Sequence, residues 1–282
     1  MKSDMDLNWA EAEHIIESAL REDAPGGDVT TNLLFEREER ARAMFRAKSA
    51  GVIAGLPLAE RVFRKLDPTF QFQSLVQDGQ HVAAGTVLAE VITTRRALLT
   101  GERIALNLMQ RMSGIATLTA QYVEAVKDLP VIILDTRKTA PGLRVLDKYA
   151  VRMGGATNHR LTLSDLAMIK DNHIRLAGGI FPAVRKIRTL APADLRIEVE
   201  CANLDQVREA LEAGADIIML DNMMPGLMKE AVAVISGKAQ VEASGNINLA
   251  NVREVALTGV NFISVGKLTH SAPALDISMK VA

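Results

Sequence analysis

The chain has 282 residues, 48% of them apolar and 24% charged, with 33 Lys/Arg against 34 Asp/Glu. That length holds one large α/β domain or two smaller ones, with ample material for a core. A pI near 6.5 and 4% aromatic residues argue against a nucleic-acid partner, and no apolar run approaches the ~20 residues that span a bilayer. The N-terminal MKSDMDLNWAEAEH lacks the apolar core of a secretory signal. The single cysteine, Cys201, cannot form an internal disulfide. These features point to a cytoplasmic protein with no membrane partner.

The first element is a helix over 9–21. Strand-like pieces follow at 42–55, 70–76 and 80–94, with Asp78-Gly79 and Ala84-Gly85 as turn signals. This pattern predicts a small α+β domain with an antiparallel sheet. A long helical pattern then runs from Thr100 to about Lys127. Thr100 is its expected cap, which sets Arg103 in the first turn. A cation there opposes the helix dipole by up to ~1 kcal/mol and calls for an anionic partner. Ser113-Gly114 predicts a bend or break.

From Val131 onward one theme repeats. Apolar or β-branched runs end at Asp135, Lys170, Glu200, Asp221, Ser244 and Gly266, with helical patterns between them. Strands alternating with helices imply parallel βαβ units, and six of them suggest a closed or nearly closed barrel. A doubly wound sheet is the lesser option. The fold class is α/β, and in a barrel these six strand ends face one mouth, where active sites sit.

The stretch 135–175 carries eight Lys/Arg and four Asp, a net +4 in a chain of net −1. A local cationic excess of this kind suggests a pocket for a multiply charged anion. Arg137, Lys138, Arg160 and Lys170 are suited to carboxylates and phosphates, Arg through its planar fork and Lys as a point charge. The glycines Gly154-Gly155 beside them let backbone approach a ligand. The turns Ser244-Gly245-Asn246 and Val265-Gly266-Lys267 sit where late barrel loops often cradle phosphate, the alternative being ordinary βα turns. Glu200 and Asp221 end adjacent runs. They suit Mg²⁺, directly or through water, or a developing cation, the alternative being salt bridges to nearby bases. His159, His173 and His270 fit no common zinc spacing, so hydrogen bonding is the better reading. Lys170 at a strand end also fits a Schiff-base aldolase.

Nine motifs in order carry a family resemblance: GDVTT (27–31), GERIALNLMQRMSGIAT (101–117), DTRKTAPGLR (135–144), KYAVRMGGATNHR (148–160), IKDNHI (169–174), EVE (198–200), IMLDN (218–222), EASGNI (242–247) and ISVGKLTHSAPALDISMK (263–280). Nearly end to end, the chain resembles quinolinate phosphoribosyltransferase, the decarboxylating nicotinate-nucleotide pyrophosphorylase. The resemblance implies an N-terminal α/β sandwich domain (1–112), an open α/β-barrel catalytic domain (113–270), and a tail (271–282) packing back on the first. It implies quinolinate and 5-phosphoribosyl 1-diphosphate (PRPP) as substrates, Mg²⁺ with the diphosphate, and a homodimer with shared active sites, with room for a higher oligomer.

Carried across by position, Arg103 resembles the arginine lent to the neighbouring subunit's substrate. Thr136, Arg137, Lys138, His159, Arg160 and Lys170 resemble the quinolinate and phosphoribosyl pocket. Glu200 and Asp221 resemble the acids at the ribose and metal-diphosphate. Ser244, Gly245, Asn246 and Gly266 resemble the 5′-phosphate cradle, with His270 nearby. The catalytic set implied is Lys138, Lys170, Glu200 and Asp221. Met153, Thr162 and Lys267 depart from the usual cysteine, glycine and small residue at their positions. The alternatives are a retargeted or non-catalytic paralogue of the molybdenum-transport-associated type, a phosphosugar-binding protein without turnover, and the aldolase.

Overall fold

A computed structural model describes residues 7–37 and 39–282. In chain order the elements are α1 (Trp9–Asp23), α2 (Val29–Leu34), β1 (Arg40–Ala47), β2 (Gly51–Val52), α3 (Leu56–Leu66), β3 (Gln71–Ser74), β4 (His81–Val82), β5 (Val87–Thr94) and α4 (Arg95–Ala125). There follow β6 (Ile132–Leu134), α5 (Arg144–Met153), β7 (Ala167–Ile169), α6 (Asp171–Ala177), α7 (Ile180–Leu190), β8 (Ile197–Cys201), α8 (Leu204–Glu212) and β9 (Ile217–Asp221). The chain closes with α9 (Pro225–Ile235), β10 (Gln240–Ser244), α10 (Val252–Ala256), β11 (Phe262–Ser264), α11 (Lys267–His270) and β12 (Ile277–Val281). Two compact units result, one of residues 1–120, 139–155 and 268–282, the other of 121–138 and 156–267.

The first unit is built on an antiparallel sheet of order β12-β1-β5-β3, with β2 and β4 forming a separate pair. Alternation along β1 and β5 puts Phe45, Ala89 and Val91 on one face, in a core with Phe63, Met109 and Met112, all fully buried. The GDVTT motif is a helix start. Asp28 accepts the Thr31 N–H at 3.0 Å and caps α2.

Three expectations about α4 need correction. It begins at Arg95, not at Thr100. Its start is capped by Thr94, whose Oγ1 accepts the Ala97 N–H at 3.2 Å. A strand running directly into the helix hid this boundary. Arg103 therefore lies two turns in, and the dipole cost assigned to it disappears. The helix is also continuous through Ser113-Gly114. Gly114 serves packing instead, because a Cβ there would stand 2.0 Å from the Pro273 carbonyl oxygen.

The second unit is a six-stranded parallel sheet of order β6-β11-β10-β9-β8-β7. The two end strands, β6 and β7, do not pair. A single parallel bridge, Leu134 to Thr157, carries the segment before Arg160 alongside β6 instead. The barrel is thus open, as its strand count expects. Alternate residues such as Val199, Leu220 and Ala243 are buried with the surrounding helices. The intervening positions place Glu198, Glu200, Met219, Asp221, Glu242 and Ser244 on the other face of the sheet. Among the described residues no helix is long and apolar enough to cross a membrane.

Candidate active site

The strand C-terminal ends of the second unit surround a cavity of about 520 Å³. Arg137 and Lys138 reach it from the turn after β6, with Thr136. His159 and Arg160 reach it from the segment before β7, and Lys170 from the end of β7. Glu200, Asp221, Ser244, Gly245 and Asn246 complete the ring. Met168, Met219, Asn222, Glu242 and Ser264 also line it, although the sequence reading named none of them as site residues. Period-two alternation held a signal for two more acids. EVE puts Glu198 on the face of Glu200, and EAS puts Glu242 on the face of Ser244.

Three residues implied by the resemblance are not among those lining this cavity. Gly266 belongs to this unit but is not among the cavity residues. Arg103, exposed on α4, and His270, at the end of α11, belong to the first unit. Nor does the basic stretch act as one block. Arg144, Lys148 and Arg152 are in the first unit, where Lys148 is buried. Gly154 is likewise a packing glycine, since a Cβ there would lie 2.5 Å from the Ala116 carbonyl oxygen.

Local hydrogen bonds explain why the ring holds its shape. Buried Asp135 accepts Asn158 Nδ2 at 2.7 Å and the His159 N–H at 2.8 Å, tying the NHR segment to the end of β6. The following loop folds onto Asp165, which accepts from Leu161 N, Thr162 N and Thr162 Oγ1. Thr162 keeps negative φ, so the turn has no need of glycine there. His173 accepts the Lys170 N–H on Nδ1 at 3.0 Å and caps α6, which accounts for it without a metal.

Lys170 Nζ lies 2.9 Å from Glu200 Oε2. Asp221 Oδ2 accepts Asn222 Nδ2 at 2.6 Å, and Asn222 Oδ1 accepts Asn246 Nδ2 at 2.9 Å. Both asparagines have φ of +55°, and Gly245 between Ser244 and Asn246 has φ of +91°. A Cβ on Gly245 would fall 2.2 Å from Asn222 Oδ1. Backbone held this way presents closely spaced N–H groups that suit phosphate oxygens.

The electrostatics match an anion site. Burial lowers the pKa of Arg160, and Arg137 lowers it further. Its guanidinium donates to the Leu166 carbonyl at 2.9 Å. Two guanidiniums held together in a recess favour an anion between them. Burial lowers the His159 pKa, but Glu198 and Glu242 outweigh this and raise it to about 9. Glu200 and Asp221 are each held through one carboxylate oxygen. That leaves a second oxygen on each, a donor set that suits Mg²⁺ completed by water and diphosphate oxygens.

A larger cavity, about 600 Å³, opens at the other end of the strands, near Arg196, Ile217 and Phe262. His159, Arg160 and Glu242 border it as well, but Lys138, Lys170, Glu200 and Asp221 border the cavity at the C-terminal ends and not this one, so the chemistry is assigned there.

An open parallel barrel with four bases, two acids and a glycine-asparagine cradle at one mouth defines an enzyme that handles carboxylates and phosphates together. The model of the quinolinate phosphoribosyl transferase C-terminal domain matches residues 115–280 and that of its N-terminal domain residues 28–113. A probable nicotinate-nucleotide pyrophosphorylase (carboxylating) of Synechocystis is 49% identical, over 97% of this chain and 93% of that protein. A quinolinate phosphoribosyltransferase (decarboxylating) of Nicotiana glauca is 43% identical, over 95% and 81%. The crystal structure of NadC from Streptococcus pyogenes superposes with a TM-score of 0.94 at 43% identity, over 98% of both chains. The chain belongs to the quinolinate phosphoribosyltransferase family.

Proposed function

We propose that this protein transfers phosphoribose from PRPP to the ring nitrogen of quinolinate, giving nicotinate mononucleotide, diphosphate and CO₂ for NAD biosynthesis. The observation that carries the reading is the single cavity shared by Arg137, Lys138, Arg160 and Lys170 with Glu200 and Asp221. Arg137, Arg160 and Lys170 hold the two adjacent carboxylates of quinolinate and aim its nitrogen at ribose C1, so positioning supplies much of the rate. The 244–246 turn takes the 5′-phosphate. As the bond from C1 to diphosphate breaks, Glu200 and Asp221 stabilise the positive character left on the sugar. Lys138 balances charge on the departing diphosphate.

When bound, Mg²⁺ supplies charge neutralisation to the diphosphate, and Glu200 and Asp221 would hold it, directly or through water. After the nitrogen is alkylated, its positive charge stabilises the electron pair that stays on C2 when the carboxylate departs as CO₂. The carbon then takes a proton. No side-chain nucleophile enters. The Lys170 ammonium, paired with Glu200, speaks against imine formation.

The working unit in this reading is a homodimer, with Arg103 reaching a partner's substrate. Arg103 is exposed and, among the described residues, has no ion pair in its own chain, which supports that role. The free thiol of buried Cys201 suits the cytoplasm. The test is mass spectrometry of products from quinolinate, PRPP and Mg²⁺. Nicotinate mononucleotide with equimolar CO₂ is expected. PRPP binding without product points to a non-catalytic relative.

A further inference from the structure

Asn222 lines the cavity between two groups that hold different ends of PRPP, and the reaction above gives it no task. It follows Asp221 at the end of β9 and faces the 244–246 turn at the end of β10. Asp221 and Ser244 are direct partners in the parallel ladder. The Asn222 N–H donates to the Ser244 carbonyl at 2.9 Å and carries that ladder one residue further. The side chain then reaches in two directions. Nδ2 donates to Asp221 Oδ2 at 2.6 Å, and Oδ1 accepts Asn246 Nδ2 at 2.9 Å. The amide cannot be turned over, because its oxygen would then face a carboxylate and its nitrogen another amide nitrogen. An aspartate of the same shape keeps only the second bond, and a glycine keeps neither.

The backbone is built around this amide. Asn222 and Asn246 both have φ of +55°, a region that asparagine adopts more readily than most residues. Gly245 stands so close that a Cβ there would meet Asn222 Oδ1 at 2.2 Å and its backbone nitrogen at 2.9 Å. On the far side, the Asn246 carbonyl accepts Asn251 Nδ2 at 3.1 Å, at the N-cap of α10. Asn251 Oδ1 in turn accepts the Asn248 N–H at 2.8 Å. A run of direct amide hydrogen bonds thus ties the Asp221 carboxylate through the turn to the start of α10.

PRPP carries a phosphate at C5 and a diphosphate at C1, joined by a flexible sugar. A ligand held at both ends binds well when its two anchors are already set at the right spacing, since ordering them during binding costs affinity. We infer that Asn222 is a positioning residue that fixes the Asp221 carboxylate relative to the 244–246 phosphate turn, and so sets the length of sugar phosphate that the site accepts. The inference deepens the proposed reaction and rests on its assignment of those two anchors. Asn222 itself need not touch the reacting atoms. Quinolinate is assigned to Arg137, Arg160 and Lys170, away from this run of amides.

The experiment is isothermal titration of the wild type, Asn222→Gly and Asn222→Asp with two probes, PRPP and pyrophosphate, each with Mg²⁺. PRPP spans both anchors, whereas pyrophosphate is too short to touch both. Glycine accepts a φ of +55° and keeps the N–H bond to Ser244, so Asn222→Gly removes the amide alone. Asn222→Asp keeps the shape and sets oxygen against oxygen beside Asp221. In either variant the ratio of the Kd for PRPP to the Kd for pyrophosphate should rise on the order of tenfold, the worth of one hydrogen bond to a charged group. KM for quinolinate at saturating PRPP should stay within about twofold in Asn222→Gly, a split that general loosening of the barrel mouth would not produce. Equal losses for the two probes, or an unchanged Kd for PRPP, overturn the inference. If one variant does not fold, the other decides by the same ratio. A wild type that binds no PRPP takes down the proposed reaction and the inference together. A wild type that binds PRPP without forming nicotinate mononucleotide takes down the reaction alone.

Discussion

The ammonium of Lys170 is 2.9 Å from the carboxylate of Glu200, across the C-terminal ends of the paired strands β7 and β8. Each neutralises the other, and in the proposed reaction substrate would replace that pairing, quinolinate meeting the lysine and ribose or metal the acid. Removing one partner strands the second. Glu200→Gln should therefore lower kcat by at least ~10², with a smaller change in KM for quinolinate. Steady-state kinetics check it, and an unchanged kcat would remove Glu200 from the transition state. Borohydride with a keto substrate should trap no adduct on Lys170.

Arg160 and Lys138 should matter at least as much. Arg160 is partly buried beside Arg137, and Lys138 is exposed at the edge of the same cavity, so in the proposed reaction both would meet the substrate's negative charge directly. Arg160→Ala or Lys138→Ala should lower kcat/KM by at least ~10², a few kcal/mol of transition-state stabilisation. Wild-type kcat/KM in a correctly folded Arg160→Ala protein would contradict the assignment.

Legibility followed the type of signal. The six parallel strands were readable because each is a short apolar run, and four of them end in a polar residue that the barrel turns toward its mouth. Lys170, Glu200, Asp221 and Ser244 could be named as strand-end residues on that ground alone, and the structure gathers all four. The start of α4 was not readable, because β5 passes into it with no turn residue between Thr94 and Arg95. Charge density misled as well. The stretch 135–175 is one block in sequence, yet α5 carries part of it into the first unit. Glu198 and Glu242 were visible only through alternation, which assigns a face but not a burial depth. Two acids inside a barrel look like solvated strand ends until a histidine is found between them.

Gly245 offers a test of the proposed phosphate cradle. Its φ of +91° and the 2.2 Å separation between Asn222 Oδ1 and any Cβ placed there leave no room for a side chain. Gly245→Ala should raise KM for PRPP at least ~10-fold, with strain of about 1–3 kcal/mol held locally. Isothermal titration with PRPP measures it. Unaltered PRPP affinity would show that the turn does not carry the phosphate.

The first unit contains an ion pair between Arg111 and Asp147. Asp147 is fully buried and receives Arg111 Nε and Nη2 at 2.8 and 2.7 Å, together with the Ala140 N–H at 3.2 Å. Asp147→Ala strands the Ala140 N–H and an arginine that is 34% exposed and so partly rehydrated; it should cost about 1–3 kcal/mol of stability, read as a shift in urea midpoint. A loss below about 1 kcal/mol would mean that water replaces the carboxylate without difficulty.

Asp67 sets an acid limit on the same unit. Burial alone would raise its pKa, but donors from Thr69, Thr93 and Thr94 at 2.7–3.1 Å outweigh this and hold it at about 2, below its usual 3.8. A depressed folded-state pKa means that the unfolded chain binds the proton first as pH falls. The stabilisation is therefore complete above about pH 4 and drains away as pH drops toward 2. The shift corresponds to roughly 2 kcal/mol. Urea unfolding of the wild type and Asp67→Asn between pH 6 and 2.5 isolates it, since every other carboxylate titrates in both proteins. The stability gap should be roughly 2 kcal/mol at pH 6 and shrink steadily below pH 4. A gap that stays constant with pH would place the aspartate's contribution in shape and not in charge.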